Sequence, residues 1–306
     1  MIKKKILITG GSGFIGYHLA KKCLSLNWSV TSLSSTKPKK KRILKNVKYI
    51  ICDLSNKKKL FNKVNSNFDY VVNLAGHVDH SDKKKTLSSH YNGCKNLSSL
   101  FVNSRIKKFI QIGSCIEYGK KKSPQSENII NKKTYSFYGA AKLLSTNHLL
   151  KLKKKNNFPI NIIRLYLVYG PKQDENRIIP ITIVNALKNR NFECSRGTQF
   201  RDFLYIDDAI EAIIKVLKNA TISGEIINIG SGKPLQVKKV ILKICKIINL
   251  GKPIFGKIKF RKDEIKYLYP SIKKANSLLR WKPKIKFNIG LKRTINDFKK
   301  INGNKS

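Results

Sequence analysis

The sequence predicts an α/β fold, a doubly wound parallel sheet followed by a smaller α/β unit. Three observations carry this expectation. Short apolar runs alternate with stretches of helical periodicity through the first half of the chain, which is the rhythm of a parallel sheet covered on both faces. The first apolar run ends directly in a glycine-rich turn, Gly10-Gly11-Ser12-Gly13-Phe14-Ile15-Gly16. Beyond residue 170 the rhythm shifts to helices linked by short strands.

Taken in order, Lys5–Thr9 is a strand, and a helix follows the glycine turn through Leu26. Ser29–Leu33 and Val47–Cys52 read as strands, Lys57–Val64 as a helix and Tyr70–Leu74 as a strand. Leu87–Asn103 has the periodicity of one helix, Lys108–Ile112 of a strand, residues 135–155 of a long helix and Ile160–Leu165 of a strand. In the second half Ile181–Asn189, Asp207–Lys218 and Val237–Ile248 are helical, and Glu225–Ile229 is a strand. A boundary after the Tyr-Gly-Pro turn divides the chain into residues 1–170 and 171–306, with some segments of the second part free to return to the first. Residues 300–306 read as a frayed tail.

With 306 residues, 41% apolar and 26% charged, the chain is long and apolar enough to bury a sizeable core, which excludes disorder throughout. The apolar run Ile160–Val168 is broken by Asn161 and Arg164; no run approaches the ~20 residues of a membrane span. The N-terminus runs into the glycine turn without a secretory h-region. The expectation is a cytoplasmic protein with no membrane partner. Cysteines at 23, 52, 94, 115, 194 and 245 form no CxxC pair, so buried thiols are expected and not a disulfide framework. Of 64 basic residues ten are Arg, and the net charge is +47. The lysines fall in scattered triplets at element ends, without a face of arginines and aromatics. That pattern reads as solvated surface and not as a specific nucleic-acid site, although its field should draw in acidic substrates.

Gly10, Gly13 and Gly16 follow a strand and open a helix. Glycines there permit a tight turn, let a pyrophosphate approach backbone amides and let helix and strand pack closely. Phe14 and Ile15 share this turn, which makes it a dinucleotide site of the Rossmann type. An acid at the end of strand two would bond a ribose 2′-hydroxyl. Here that stretch is Ser32-Leu33-Ser34-Ser35-Thr36-Lys37. Ser34 and Lys37 suit a 2′-phosphate better, favouring NADP(H) over NAD(H) and leaving NAD(H) open. Asp53 and Leu54 follow strand three, where a short carboxylate can reach an adenine amine. Leu74, Ala75 and Gly76 end the next strand beneath the cofactor.

Tyr138 and Lys142 stand four apart in a helical stretch and share one face. An ammonium beside a phenol stabilises the phenolate, so Tyr138 can exchange a proton with a substrate hydroxyl or carbonyl. Lys142 can also hold the nicotinamide ribose. Ser114 follows the strand Lys108–Ile112 and can support charge on the reacting oxygen.

With glycine turn, Ser114 and the Tyr138/Lys142 pair in this order, the chain resembles the extended short-chain dehydrogenase/reductase family of nucleotide-sugar epimerases, dehydratases and reductases. The resemblance implies that Ser114, Tyr138 and Lys142 are catalytic, that residues 171–306 mainly bind a nucleotide-diphosphate sugar, and that the enzyme is a homodimer. By the same resemblance Asn176 and Arg177 clasp the nucleotide sugar, Arg201 of Arg201-Asp202-Phe203 binds its diphosphate, and Arg261 is a second phosphate-binding arginine. Trp281-Lys282-Pro283 matches the family's C-terminal turn, and Asp208 begins a helix. Guanidinium forks suit diphosphate oxygens.

Departures from the pattern narrow the chemistry. Dehydratases of the family carry an Asp-Glu pair directly after the catalytic hydroxyl residue, where this chain has Cys115 and Ile116. Dehydration is thereby disfavoured, and Glu117 reads as structural. With no acid after strand two, a reductase using dissociable NADPH on a 4-keto-6-deoxy sugar nucleotide is expected, similar to the CDP-abequose synthase-like 4-ketoreductases. A nucleotide-sugar 4-epimerase is the alternative. The family pattern expects an Asn in the helix near 89–92, where this chain has Ser89-His90-Tyr91-Asn92. His77, Asp79, His80 and Asp82 read as loop residues beside the cofactor and not as metal ligands.

Overall fold

Alternation within each strand explains how one sheet serves two cores. In a computed structural model, which describes residues 3–77, 82–131, 133–260 and 264–303, Ile6 and Ile8 of strand β1 (Lys5–Thr9) face one apolar cluster and Leu7 faces the other. The same two-faced burial recurs in β4 (Tyr70–Asn73), where Val72 and Val71 point to opposite cores. It recurs again in β5 (Lys108–Ser114) and β6 (Ile160–Leu165). A strand buried on both faces has no polar alternation, which is why these segments read as continuous apolar runs.

The strands β2 (Ser29–Ser34), β3 (Val47–Ile51) and β10 (Ile226–Ile229) complete a seven-stranded parallel sheet of order β10-β6-β5-β4-β1-β2-β3. The order reverses beside β1, the position where ligands bind at the carboxyl ends of strands. Helices α1 (Phe14–Ser25) and α7 (Ile206–Lys218) pack together on one face. On the other lie α2 (Lys57–Lys63), α4 (Gly93–Phe101) and α5 (Phe137–Asn156), through Leu60, Leu97 and Leu149. Asn56 caps α2 and Ser136 caps α5, each accepting a backbone N–H two or three positions inside the helix.

The helix expected over Leu87–Asn103 is in three pieces. A short α3 (Lys83–Leu87), capped by Asp82, leads into a π-helical turn over Ser88–Asn92 and then α4. Its apolar periodicity continues through the turn, so spacing alone did not reveal the break. Strand β5 runs two residues beyond Ile112, carrying Ser114 onto the sheet.

Past β6 the chain builds smaller sheets. Strand β7 (Leu167–Tyr169) pairs with β9 (Phe200–Tyr205), which also pairs with β11 (Pro234–Gln236) and β13 (Tyr267–Leu268). Strands β8 (Asn191–Cys194) and β12 (Lys252–Phe255) form a separate pair. Helices α8 (Val237–Ile248) and α10 (Phe287–Gly303) pack on them, α6 (Ile178–Leu187) packs on α8 and α10, and α9 (Lys273–Leu279) packs on β10 and α7. Because β10 joins the main sheet beside β6, the second half of the chain is stitched into the first. Among the described residues no helix is long and apolar enough to cross a membrane.

Candidate active site

The glycine turn is built by backbone contacts that exclude side chains. Gly10 sits at φ +66°, and a Cβ on Gly16 would lie 2.4 Å from the Gly10 carbonyl oxygen. The turn therefore brings β1 and α1 into direct contact. Helix α1 starts at Gly13 without a side-chain cap and with no acid in its first turn. Its free amides and positive dipole end suit an anion. Phe14 and Ile15 lie half-buried in that first turn. The Ser12 amide donates to Ser34 Oγ at 3.2 Å, so the end of β2 closes one side of the cradle. Leu74, Ala75 and Gly76 close another, half-buried at the end of β4. This cradle fits a dinucleotide.

Lys37 is exposed beyond β2. The rest of that loop is tied elsewhere: buried Arg42 donates to the Lys172 carbonyl at 2.7 and 3.0 Å and pairs with Asp174 at 2.9 Å, while Lys39 pairs with Asp174 at 2.8 Å. Asp53 is exposed and turns back on its own loop, accepting the Ser55 amide at 2.9 Å, and Leu54 is buried beside it.

Ser114, Tyr138 and Lys142 come together where β5 meets α5. The Ser114 hydroxyl lies close enough to the Tyr138 phenol to favour its ionised form. Lys142 Nζ lies 5.9 Å from the Tyr138 ring centroid and donates to the Ile112 carbonyl at 2.7 Å. Burial pulls the Lys142 ammonium down to about 8, against the charge of nearby Glu117 and of Cys94. Burial also pushes the Tyr138 phenol up to about 12, with Ser114 and Arg177 pulling the other way and Cys115 and Glu117 adding to the rise. The Tyr/Lys spacing predicts a lowered phenol, and burial raises it instead. Desolvation dominates, and the Lys142 ammonium gives its hydrogen bond to the backbone of β5.

Glu117 has the structural role its position suggested. It is fully buried and accepts from the Ser114 amide at 2.7 Å, from Thr146 Oγ1 at 2.7 Å and from Arg164 at 2.9 and 3.1 Å. Ser114 in turn caps the 3₁₀ turn Cys115–Tyr118, making a reciprocal capping box. The strand-end hydroxyl is thereby fixed from both sides. Burial pushes the Cys115 thiol up to about 12, so it is inert near neutral pH.

Arg201 on β9 is buried and paired with Glu264. Asn176 and Arg177 are exposed just before α6, with the Arg177 charge within electrostatic reach of Tyr138. Arg261, Asp79 and His80 lie outside the described residues. Asp82 is taken up in capping α3, and among the described residues no cluster of metal-ligating side chains occurs. Asp208 accepts the Lys284 and Ile285 amides at 3.0 and 2.9 Å, and its backbone carbonyl receives Trp281 Nε1 at 3.1 Å, which anchors the Trp-Lys-Pro segment. A surface recess of about 470 Å³ between Lys3, Asp69 and Arg105 contains none of these site residues.

Three features of the site have no counterpart among the sequence motifs. These are the Arg42–Asp174 clamp, the Glu264 partner of Arg201 and the placement of His90 against Tyr138, whose ring centroids are 5.1 Å apart. Each joins residues 48 to 132 positions apart, by difference of their numbers, and none leaves a local signature. The departure of Ser89-His90-Tyr91-Asn92 from the family pattern is the one signal that marked the place.

Residues 6–230 match the model of the NAD dependent epimerase/dehydratase family, and the chain belongs to that family. It is an enzyme acting on nucleotide sugars with a nicotinamide dinucleotide. A putative UDP-glucose 4-epimerase of Methanocaldococcus jannaschii is 31% identical, covering 97% of this chain and 99% of that protein. A dTDP-D-glucose 4,6-dehydratase of Bos taurus is 28% identical over 95% of this chain and 88% of its own length. CDP-abequose synthase of Salmonella muenchen is 27% identical, over 86% and 88% respectively. Among solved structures, UDP-glucose 4-epimerase of Thermotoga maritima superimposes with a TM-score of 0.90 at 23% identity, covering 97% of this chain and 99% of that one. A point mutant of the UDP-glucuronic acid 4-epimerase of Bacillus cereus gives 0.87 at 27% identity with the same coverage.

Proposed function

We propose that the chain is a nucleotide-sugar 4-epimerase, with Ser114, Tyr138 and Lys142 as its catalytic residues. The single observation that carries this reading is the hydroxyl pair at the end of β5, followed by Cys115 and Ile116 where an eliminating enzyme needs acids. The epimerases among its relatives support it over the reductase that the β2 loop favours.

When bound, the oxidised nicotinamide contributes a positive ring and a reversible hydride acceptor, so that the sugar C4 is oxidised and then reduced with no net redox change. Tyr138 takes the C4 hydroxyl proton in the first direction and returns it in the second. Ser114 donates to the same oxygen and supports its charge. Lys142, held by Ile112, keeps a cation behind the phenol. Burial keeps the Tyr138 phenol protonated near neutral pH, and a further cation beside it would favour the phenolate. Asn176 and Arg177 would clasp the nucleotide sugar, Arg201 would bind its diphosphate, and Arg261 would be a further phosphate ligand. Binding at Arg201 requires displacing Glu264. Gly10, Gly13, Phe14, Ile15, Gly16, Ser34, Lys37, Asp53, Leu54, Leu74, Ala75 and Gly76 would line the dinucleotide. The cytoplasm as its setting and a homodimer as its assembly belong to the same reading.

The test is to incubate the purified protein with UDP-glucose and UDP-glucuronic acid and follow the C4 epimers chromatographically. Interconversion without net change in nicotinamide absorbance is expected. Tyr138→Phe should lower turnover by roughly 10²-fold or more while leaving cofactor affinity within about twofold. A specific observation favours the reductase as the second reading: the end of β2 offers Ser34, Ser35 and Thr36 and no acid. Steady oxidation of added NADPH by a 4-keto-6-deoxy sugar nucleotide, with no epimer formed from either UDP-sugar, would select it.

A further inference from the structure

The π-helical turn Ser88–Asn92 stands between the cofactor wall and the catalytic helix. Such one-turn insertions cost hydrogen-bond geometry and are kept where a side chain must be redirected. The residue redirected here is His90, 5% exposed. Its ring meets the Tyr138 ring edge-on, centroids 5.1 Å apart with planes at 70°. Nε2 lies 3.2 Å from the His77 carbonyl oxygen. That oxygen can only accept, so Nε2 carries the proton. The ring also fills the space above Gly76, where an added Cβ would lie 1.8 Å from its Cε1.

The backbone of the turn is held as firmly. The His90 carbonyl accepts Ser145 Oγ at 3.0 Å, from one turn past Lys142 on α5. The His77 amide donates to Ser89 Oγ at 2.9 Å. Two neighbouring residues of the π turn thus grip the segment after β4, and the same turn is bonded to the catalytic helix.

We propose that His90 is the positioning residue for Tyr138, fixing the phenol ring between α5 and the Gly76–His77 segment. This rests on the reading of Tyr138 as the proton-transferring group. Without the imidazole, the side of Tyr138 facing Gly76 loses its packing partner, and the ring gains a rotational freedom that proton transfer does not tolerate.

The experiment separates this proposal from the function itself. Tyrosines of the ligand-free protein are isotope-labelled at the ring carbon bearing the hydroxyl, and the Tyr138 resonance is assigned by its loss in Tyr138→Phe. In His90→Ala that resonance and its titration midpoint should move, and His90→Phe, which restores a ring, should recover most of the shift. With an active substrate, kcat should fall about tenfold in His90→Ala while KM changes less than about twofold. An unmoved Tyr138 resonance in a folded His90→Ala protein overturns the proposal. If the alanine variant does not fold, His90→Asn decides in the same way, a moved resonance supporting the proposal and an unmoved one overturning it. Absence of activity on every sugar nucleotide tried would count against the proposed function and leave the resonance to judge His90.

Discussion

Lys142 carries a charge into a place that disfavours it. It is 4% exposed, and one hydrogen bond to Ile112 does not replace the lost water, so burial draws its pKa from the ordinary 10.5 to about 8. The linkage has a definite sign. Below about 8 the lysine is charged in both folded and unfolded chains, and folding bears the full desolvation. Between about 8 and 10.5 the folded chain has released the proton and the unfolded chain has not. The unfolded state then binds more protons, so stability rises with pH. Wild type should therefore gain on Lys142→Met by on the order of 1 kcal/mol per pH unit in that window, measured by denaturant unfolding of both proteins. A difference independent of pH would mean that the ammonium is better solvated than its surroundings indicate. The pairing of Tyr138 with Lys142 was legible in the sequence because a four-residue spacing on a helix is local. The direction of the phenol's shift was not, because it depends on how much water the folded site removes.

At the scale of elements, the strand-to-turn junction after β5 concentrates the most structure in the fewest residues. Glu117 satisfies the Ser114 amide, closes the capping box and neutralises Arg164, whose guanidinium also lies 4.3 Å from the Tyr118 ring centroid. Burial alone would lower the Arg164 pKa, but the Glu117 carboxylate and Tyr118 outweigh it and raise it. Replacing Glu117 with Gln leaves that guanidinium buried without its counter-charge. The expected loss is roughly 3–5 kcal/mol of folding stability, read as a lowered denaturation midpoint. A Glu117→Gln protein as stable as wild type would show that the ion pair is dispensable. The main-sheet strands were readable because each buries both faces and is bounded by polar turns. The helix break at Ser88–Asn92 and the small sheets around β9 were not. Their partners, such as Leu235 opposite Arg201 and Tyr267 opposite Phe200, come from distant parts of the chain. Short strands of two or three residues carry too little periodicity to announce themselves.

Across the whole molecule, the two halves are joined where the charges are. His18 of α1 reaches the Pro171 carbonyl at 3.0 Å, Arg42 and Lys39 converge on Asp174, and the Lys172 amide donates to Asp297 of α10 at 2.9 Å. The loop beyond β2 and the segment leading to Asn176 and Arg177 are thereby one surface. Around it the chain carries a net charge of +47 spread over scattered lysine runs. A sugar nucleotide is a compact anion, and such a field acts on its approach and not on the chemical step. Raising ionic strength from about 0.01 M to about 0.15 M shortens the screening length from roughly 30 Å to roughly 8 Å. Over that range kcat/KM for a sugar nucleotide should fall by about tenfold or more, kcat should hold nearly constant, and KM should carry the change. A neutral salt series in initial-rate assays, repeated with two different monovalent salts, distinguishes screening from specific ion binding. A KM indifferent to both salts would mean that the lysine surface contributes solubility and nothing to substrate encounter.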